Sequence, residues 1–544
     1  MELMLLILSC ATEPQPAAVE NEPKPTAPEE GETAKLLTPV QVLHRASLDL
    51  RGIRPSIAEV EAVEADPAAL DAMVEGFMAS EHFGERVRDL FSTIYLTRSD
   101  YFYVGAADYG QTDEASFARA VGDEPLRILS TIAEEDLPYT QIVLADWSMA
   151  DDTIGKAWPM DYPADGEGWH KVKYTDGRPH AGILSTNGLW WRYMTNESNA
   201  NRGRANAISR ILLCEDYLGK PISFDRSVNL LDQSAVNEAV KTNEGCVACH
   251  NTLDPFASYL WGFYYFNYDS RDDTTYYHPE REQYWQTVTG VPPAYYGQPG
   301  FDLPDLSAQI ASDGRLPQCI VQQSFELLLQ REASLDDTSE LSALREGFLD
   351  DGLRLKPLFA AVIASDAYRG APTEDARMAS RKLLSSDQLG TVLEDLTGFR
   401  FTYYGYDMLQ TDTYGLRTLA GGVDGVYSTR PAEQPTATMV LVHERLAQAA
   451  ASHVVEHDRA NPDEAKLFTE VSFAATPDSD PEGFAAQLQL LHLRLFGERI
   501  AVDGPEMEAN ISLWRDLYAA EGSPSAAWRD LLSTLMRDPA FLLY

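Results

Sequence analysis

We expect the central domain of this chain to fold around the stretch Glu244-Gly245-Cys246-Val247-Ala248-Cys249-His250. Two thiols stand three positions apart and a histidine directly follows the second, which is the C-x-x-C-H pattern of haem c attachment. Each cysteine can form a thioether to one former vinyl group of the porphyrin, and the adjacent imidazole can then bind the iron. The pattern therefore predicts one covalent haem c, with Cys246 and Cys249 as the thioether residues and His250 as the proximal iron ligand.

Three other uses of the C-x-x-C pair stay open: a redox dithiol, half of a zinc site, or an ordinary disulfide. A structural zinc site needs about four ligands, and no second Cys/His pair of similar spacing follows in the sequence. A thioredoxin-type dithiol is expected to open a helix after a strand in a βαβ pattern, which the flanking sequence does not show. Covalent haem is therefore the favoured interpretation of the motif.

Length and composition indicate a folded chain with room for three or four domains of ordinary size, since 44% of its 544 residues are hydrophobic and 10% are aromatic. The chain has 84 acidic residues against 43 lysines and arginines, so its formal net charge is -41. Nucleic acid and anionic membrane surfaces would be repelled and are excluded as partners. Such a surface suits an exported or salt-exposed protein, or one that docks basic partners.

The first residues, MELMLLILSC, form a short apolar run that ends in a small residue and Cys10. This resembles the lipobox of a bacterial lipoprotein, so residues 1–10 are interpreted as a signal and Cys10 as the lipidated residue. Glu2 stands where a basic region is usual, so a late start or a fortuitous match stays an alternative. The run is too short to span a bilayer, so we expect membrane attachment through the N-terminal lipid only.

Residues 11–35 are rich in Pro, Glu and Ala and almost free of large apolar side chains, which predicts a disordered tether. A tether behind a lipid anchor suits a body that works near a membrane, and haem c attachment also takes place outside the bacterial cytoplasm. We therefore expect an exported lipoprotein of the outer membrane that faces the periplasm or the cell exterior.

Cys214 and Cys319 remain once Cys10 is assigned to lipid and Cys246 and Cys249 to haem. In an oxidising compartment this pair could form a disulfide that closes a long loop around the haem segment. Closing a loop of ~100 residues stabilises a fold by roughly 4.7 kcal/mol in the chain-entropy model. Two separate buried thiols are the alternative.

A three-helix pattern occurs three times along the chain, starting near residues 41, 322 and 489. Each copy has an amphipathic helix, an acidic helix and a closing helix, which predicts a mainly α, multidomain protein built partly from repeated three-helix modules. The predicted units are an N-terminal helical module (36–115), a central domain that bears the cytochrome c-like haem segment (116–315), a second module (316–375), a helical unit with a Gly-rich turn (376–470) and a C-terminal module (471–544).

Aromatic runs lie on both sides of the motif, at residues 189–194 and 259–266. Flat aromatic surfaces near an attachment site could exclude water from a porphyrin and hold its ring. Ordinary core packing explains the same residues about as well, so both interpretations stay open.

Several strings of residues together resemble a known group of proteins. They are C-V-A-C-H-N-T-L-D-P at 246–255, the segment Gly182–Ser185, the run at 48–52, and the module that begins at 316–319 and ends at 365–368. The group is the cytochrome-like multidomain proteins of planctomycetes and myxobacteria, whose parts are mainly catalogued as domains of unknown function. The resemblance implies a single haem c domain inside an exported protein, and it implies no particular reaction.

The second axial iron ligand does not follow the usual order of small cytochromes, in which a methionine comes some tens of residues after the proximal histidine. No methionine occurs between Met194 and Met378. His180 and Met194 are therefore the leading candidates for the distal position and His278 is a third, with an open or water-bound site as the alternative. A closed six-coordinate iron favours electron transfer, whereas an open position permits peroxide or small-ligand chemistry.

Two classes of function fit these expectations. The first is an exported, lipid-anchored mono-haem c protein that relays electrons between redox partner proteins. The second is a cell-surface binding or scaffold protein with a structural or sensory haem, whose modules meet a polysaccharide or another partner. A haem peroxidase-like enzyme is a third alternative, and the sequence leaves open whether any reaction is catalysed.

Overall fold

Apolar residues at helical spacing run through most of the chain, and the computed structural model has the mainly α fold that they predict. It describes residues 36–220, 228–229, 231–370, 381–413 and 415–544. Helices account for 58% and strands for 4% of the structure. The described residues contain 24 α-helices, several short 3₁₀ helices and three two-stranded antiparallel sheets. The predicted fold class, a mainly α multidomain protein, is therefore confirmed.

The N-terminal module begins with the amphipathic helix that the sequence predicts. Thr38 caps this helix through reciprocal hydrogen bonds with Gln41, and Gly52 ends it in the left-handed conformation at φ +71°. The module contains four helices: α1 (Pro39–Arg51), α2 (Ile57–Ala65), α3 (Ala69–Phe77) and α4 (His82–Tyr95).

The central region combines two long helices with many short ones, because Gly, Pro and Asp interrupt its apolar runs. Its sheets pair Ser148 with Val172 and Ala294 with Pro299. In chain order the elements are α5 (Glu114–Glu134), α6 (Gln141–Leu144), β1 (Ser148–Ala150), α7 (Asp152–Gly155), β2 (His170–Val172), α8 (Asn187–Arg192), α9 (Arg202–Leu213), α10 (Gln233–Thr242), α11 (Glu244–Ala257), α12 (Arg271–Thr275), α13 (Trp285–Val288), β3 (Ala294–Tyr295), β4 (Gln298–Pro299) and α14 (Leu303–Ala311).

The rest of the chain is again mainly helical. The second module contains α15 (Arg315–Leu329), α16 (Thr338–Asp350), α17 (Leu355–Ala364) and α18 (Asp366–Arg369). The elements after residue 380 are α19 (Ser386–Thr397), β5 (Thr402–Tyr403), β6 (Tyr406–Asp407), α20 (Ala437–Ala460), α21 (Pro481–Phe496), α22 (Pro505–Glu521), α23 (Pro524–Met536) and α24 (Pro539–Leu542).

The three predicted modules have one backbone feature in common, which is how their first helix ends. The first helix of each module ends on a residue in the left-handed region: Gly52 after α1, Gln330 after α15 and Gly497 after α21. A left-handed residue stops the helix and turns the chain, so the next helix can pack beside the first. The first helix of each predicted module therefore ends in the same way.

The apolar side chains of the described residues form two main cores. The first core contains residues from Val42 to Tyr368 together with Leu493 of α21, and so includes the N-terminal module, the central region and the second module. The second contains residues from Leu383 to Leu543. Helix α1 lies between them, since its Leu43 belongs to the first core and its Leu48 to the second.

A buried polar cluster joins the two cores at the same helix. The Asp49 carboxylate, which is 1% exposed, accepts hydrogen bonds from the Tyr368 hydroxyl at 2.5 Å and the Tyr544 hydroxyl at 2.8 Å. It also forms a buried ion pair with the Lys382 ammonium group. Lys382 and Tyr544 exchange two backbone hydrogen bonds, at 2.8 and 2.9 Å. These four residues, here called the Asp49 cluster, tie the first helix to the last residue of the chain.

The predicted signal, Cys10 and the tether lie within residues 1–35, outside the described part of the chain. Within the described ranges, no helix has both the length and the hydrophobicity that a membrane span requires.

Candidate functional site

Helix α11 carries the C-x-x-C-H motif. Asn243 caps its first turn by accepting a hydrogen bond from the Gly245 N–H at 3.1 Å. Cys246, Cys249 and His250 then follow at helical spacings of three and four, which places the two sulfurs and the imidazole on one face. Both thiols are free and half-buried. The motif thus lies at the accessible end of a helix whose other end is buried in the first core.

His250 is held by a carboxylate one turn further along α11. Its Nδ1 lies 2.9 Å from Oδ1 of Asp254, four residues later. A carboxylate only accepts hydrogen bonds, so Nδ1 carries the proton and Nε2 keeps its lone pair. Nε2 is therefore the nitrogen that is chemically able to bind a metal.

Asp254 is itself held by Arg202, the first residue of α9. The guanidinium donates to both carboxylate oxygens, from Nε at 2.6 Å and from Nη2 at 2.9 Å. Burial would raise the pKa of Asp254, but the hydrogen bonds from His250 and Arg202 outweigh it and hold the pKa below its ordinary value. The carboxylate is therefore ionised at neutral pH and links two helices.

Helix α9 is fixed at both ends. Arg202 binds α11 at its start, and Cys214, which follows its last residue, forms a disulfide with Cys319 of α15. The two Cα atoms are 5.3 Å apart and the cysteines are separated by 105 positions in the chain. This bond joins the two cysteines that remained in the sequence count, and the loop it closes contains all of α11.

The aromatic runs beside the motif pack mainly against protein. Trp190 and Trp261 are fully buried, with Phe263 and Tyr264 as their respective ring neighbours. Arg204 of α9 lies among these rings and donates to the Phe263 carbonyl at 2.7 Å. For these residues the contacts favour core packing, the second of the two interpretations that the sequence left open.

Two other tyrosines and a lysine lie near Cys249, and no sequence pattern pointed to them. The Tyr217 hydroxyl donates to the Tyr296 hydroxyl at 3.3 Å, and the Lys220 ammonium lies 4.7 Å from the centre of the Tyr217 ring. The pKa of Lys220 is raised mainly by its hydrogen bond to Glu215, and Cys249 and Tyr296 add to the effect. Tyr296 stands at the turn between β3 and β4, so only the folded hairpin brings it to α11.

The three candidates for the distal ligand lie on different elements. His180 is exposed and precedes the 3₁₀ turn Gly182–Ser185, and Met194 is half-buried just after α8. Both ring nitrogens of His278 are occupied, Nδ1 by Glu280 at 3.2 Å and Nε2 by the Asp273 carbonyl at 3.0 Å. Binding of iron by His278 would therefore require one of these bonds to break.

In the described part of the protein, we find no group of side chains that could bind a metal ion by itself. Among those residues, no three His, Cys, Asp or Glu side chains form a group that could hold a metal ion. One imidazole on α11 suffices for a haem iron, since the porphyrin supplies the four equatorial ligands.

Sequence reasoning missed a charged cleft. A cavity of about 610 Å³ lies between α4, α5, α19 and residues 400–417, and none of the motif residues lines it. At its base Arg98 donates to Glu85 at 3.2 Å, to Asp89 at 2.6 Å and to Asp123 at 2.7 Å. Burial, with Asp387 nearby, raises the pKa of Asp89 to about 7. The cleft residues come from distant segments, so their spacing in the sequence gives no signal.

Comparison with known proteins does not place the chain in a family. It matches no family model, and neither the curated proteins nor the solved structures contain a match. The resemblance to cytochrome-like multidomain proteins therefore remains an interpretation of the motif and its flanking strings.

Proposed function

We propose that this protein is an exported mono-haem c protein that transfers electrons. The observation that carries the proposal is the face of α11, where two free thiols stand beside an imidazole whose Nδ1 is already bound to Asp254. The donor set fits the group, because two accessible sulfurs and one imidazole nitrogen with a free lone pair are what covalent haem needs. When bound, haem c supplies reversible one-electron chemistry at its iron.

In this proposal each residue of the face has one task. Cys246 and Cys249 would each add an S–H group across a vinyl C=C bond of the porphyrin to form a thioether, and His250 would offer Nε2 to the iron. Asp254 keeps the imidazole in one tautomer and one orientation through the 2.9 Å hydrogen bond. The disulfide between Cys214 and Cys319 restrains α9 and α15 around this helix.

The location and the partners are proposed from the sequence. Residues 1–35 support an exported bacterial lipoprotein that is anchored through Cys10, at the outer membrane and on its periplasmic or outer side. The net charge of -41 suits a redox partner protein with a basic docking surface. A cell-surface scaffold role with a structural haem, including polysaccharide binding, and a peroxidase-like role are the alternatives.

The first test is whether the exported protein carries haem. A pyridine haemochrome spectrum and the intact mass of the mature protein should both give one haem per chain. A variant with Cys246→Ala and Cys249→Ala should lose the haem, whereas Val247→Ala should keep it, because Val247 lies within the motif and supplies no ligand. A wild-type protein that is colourless, with the mass of the lipidated polypeptide alone, would end the proposal.

A second measurement separates electron transfer from the alternatives. Reversible one-electron cycling with six-coordinate absorption bands in both redox states supports the relay. Band shifts on addition of peroxide or small ligands would instead support catalysis or sensing. A haem that cannot be reduced at accessible potentials would support the scaffold role.

A further inference from the structure

The chain Arg202, Asp254, His250 links α9 to the motif helix through three side chains. Arg202 reaches the carboxylate with two nitrogens, at 2.6 and 2.9 Å, and the carboxylate reaches the imidazole at 2.9 Å. Asp254 is buried, with 9% of its side chain exposed, while His250 and Arg202 are 25% and 19% exposed. Such a hydrogen-bonded series in a poorly hydrated site has a stronger effect than the same contacts in water.

We propose that Asp254, fixed by Arg202, is a positioning residue that lowers the reduction potential of the haem. This inference rests on the proposed function and adds that Asp254 is the group that adjusts the reduction potential. A carboxylate that accepts from Nδ1 moves electron density toward Nε2 and makes the imidazole a more basic ligand. A more basic ligand stabilises ferric over ferrous iron, so the potential falls.

Arg202 limits this effect. Its guanidinium shares the carboxylate charge through two parallel hydrogen bonds, so less of that charge acts on the imidazole. The two residues therefore act on the iron in opposite directions, although both are part of one contact.

Substitutions of Asp254 and Arg202 are expected to shift the reduction potential in opposite directions, and this difference provides the test. The test uses the full-length, matured protein. Asp254→Asn removes the negative charge, and we expect the equilibrium constant for reduction to rise at least tenfold, which is about 59 mV for one electron. Arg202→Gln leaves the carboxylate charge uncompensated, and we expect a shift to lower potential. Loss of packing or entry of water would move both variants in the same direction, so opposite shifts distinguish tuning from a structural role.

Asp337→Asn is the matched control. Asp337 also accepts two hydrogen bonds from one arginine, Arg331, each at 2.7 Å, and it is as buried as Asp254. It belongs to the second module and has no histidine partner among the described residues. The reduction potential of the Asp337→Asn variant should equal that of the wild type.

The outcomes separate this inference from the proposed function. A wild type without haem in the pyridine haemochrome assay overturns both. A wild type with haem, together with Asp254→Asn at unchanged potential, overturns the tuning role alone. If Asp254→Asn accumulates without haem, Arg202→Gln decides: a downward shift supports tuning, and an unchanged or raised potential overturns it.

Discussion

At the scale of single residues, the contact between Gly497 and His44 shows how closely the first and third modules are fitted. Gly497 has φ +72°, and a Cβ added there would lie 2.8 to 2.9 Å from three atoms of the His44 ring. That ring is buried, both its nitrogens lack hydrogen-bond partners among the described residues, and burial lowers the pKa of His44 to about 4. His44 is thus a neutral, flat surface against which only glycine fits.

We therefore expect Gly497→Ala to destabilise the protein more than Gly522→Ala. Gly522 has nearly the same backbone angle, φ +69°, but an added Cβ would meet no side chain or distant backbone within 4 Å in the part of the chain that the structure describes. Gly522→Ala should cost about 1 kcal/mol of left-handed strain, and Gly497→Ala should add about 1–3 kcal/mol of overpacking. Urea unfolding measures both free energies, and equal losses in the two variants would contradict the contact.

The buried carboxyl group of Glu124 is expected to make the stability of the protein depend on pH. Its carboxyl group is fully buried and meets the Ser148 and Tyr174 hydroxyls at 2.8 and 2.7 Å and the Gly188 N–H at 2.9 Å. Burial raises its pKa from 4.5 to about 7, although these hydrogen bonds oppose the shift. Between these two values the folded state holds a proton that the unfolded state has released, so this group's contribution to stability falls as pH rises.

Glu124→Gln removes that dependence, because its amide stays neutral. The wild type should be the more stable protein at pH 5, and the difference in unfolding free energy should shrink by up to about 2 kcal/mol at pH 7. Urea unfolding at the two pH values gives this difference directly. A difference in unfolding free energy between the two proteins that does not change with pH would mean that the pKa of Glu124 has its ordinary value.

At the scale of elements, the disulfide between α9 and α15 is expected to supply a large share of the stability of the central region. The loop spans 105 positions, and removal of a native disulfide typically costs 2–5 kcal/mol. Cys214→Ala with Cys319→Ala should lower the unfolding free energy by about that amount. A reductant should destabilise the wild type and leave the double variant unaffected; a wild type indifferent to the reductant would contradict the pairing.

Element ends also show what the sequence could predict and what it could not. The string Ser385-Ser386-Asp387-Gln388 has the spacing of a capping box, and the structure has that cap, with reciprocal hydrogen bonds between Ser385 and Gln388 at 3.0 and 3.2 Å. A cap is local, since its partners are three residues apart. Gln388 is also fully buried and donates to the Leu48 carbonyl at 2.9 Å, across 340 positions. No periodicity or spacing encodes such a contact.

The same limit applies to the candidate site. The motif itself is local, so Cys246, Cys249 and His250 could be named from the sequence. Arg202 meets Asp254 across 52 positions, and Tyr296 approaches α11 only through the β3–β4 hairpin. These residues are ordinary in type and isolated in the chain, so their role is defined only by how the helices pack.

At the scale of the whole molecule, the Asp49 cluster holds the two cores together. Burial lowers the pKa of Lys382 to about 7 even beside Asp49, so Asp49→Ala would leave a buried amine that must lose its proton. Losing one partner of such a buried pair costs about 3–5 kcal/mol. Asp49→Ala combined with Lys382→Met removes both charges, so we expect the double variant to recover part of that loss. Guanidinium unfolding of the single and double variants measures the coupling, and strictly additive losses would show that the pair does not interact.

The separation of the two cysteine pairs on different helices has a consequence for oxidative folding. Four thiols in one body allow three pairings. The fold brings Cys214 and Cys319 to a Cα distance of 5.3 Å, while Cys246 and Cys249 remain together and free on a single turn of α11. Packing of α9 on α15 therefore favours the Cys214–Cys319 bond over the two pairings that would cross between the helices, and it leaves Cys246 and Cys249 beside each other on α11.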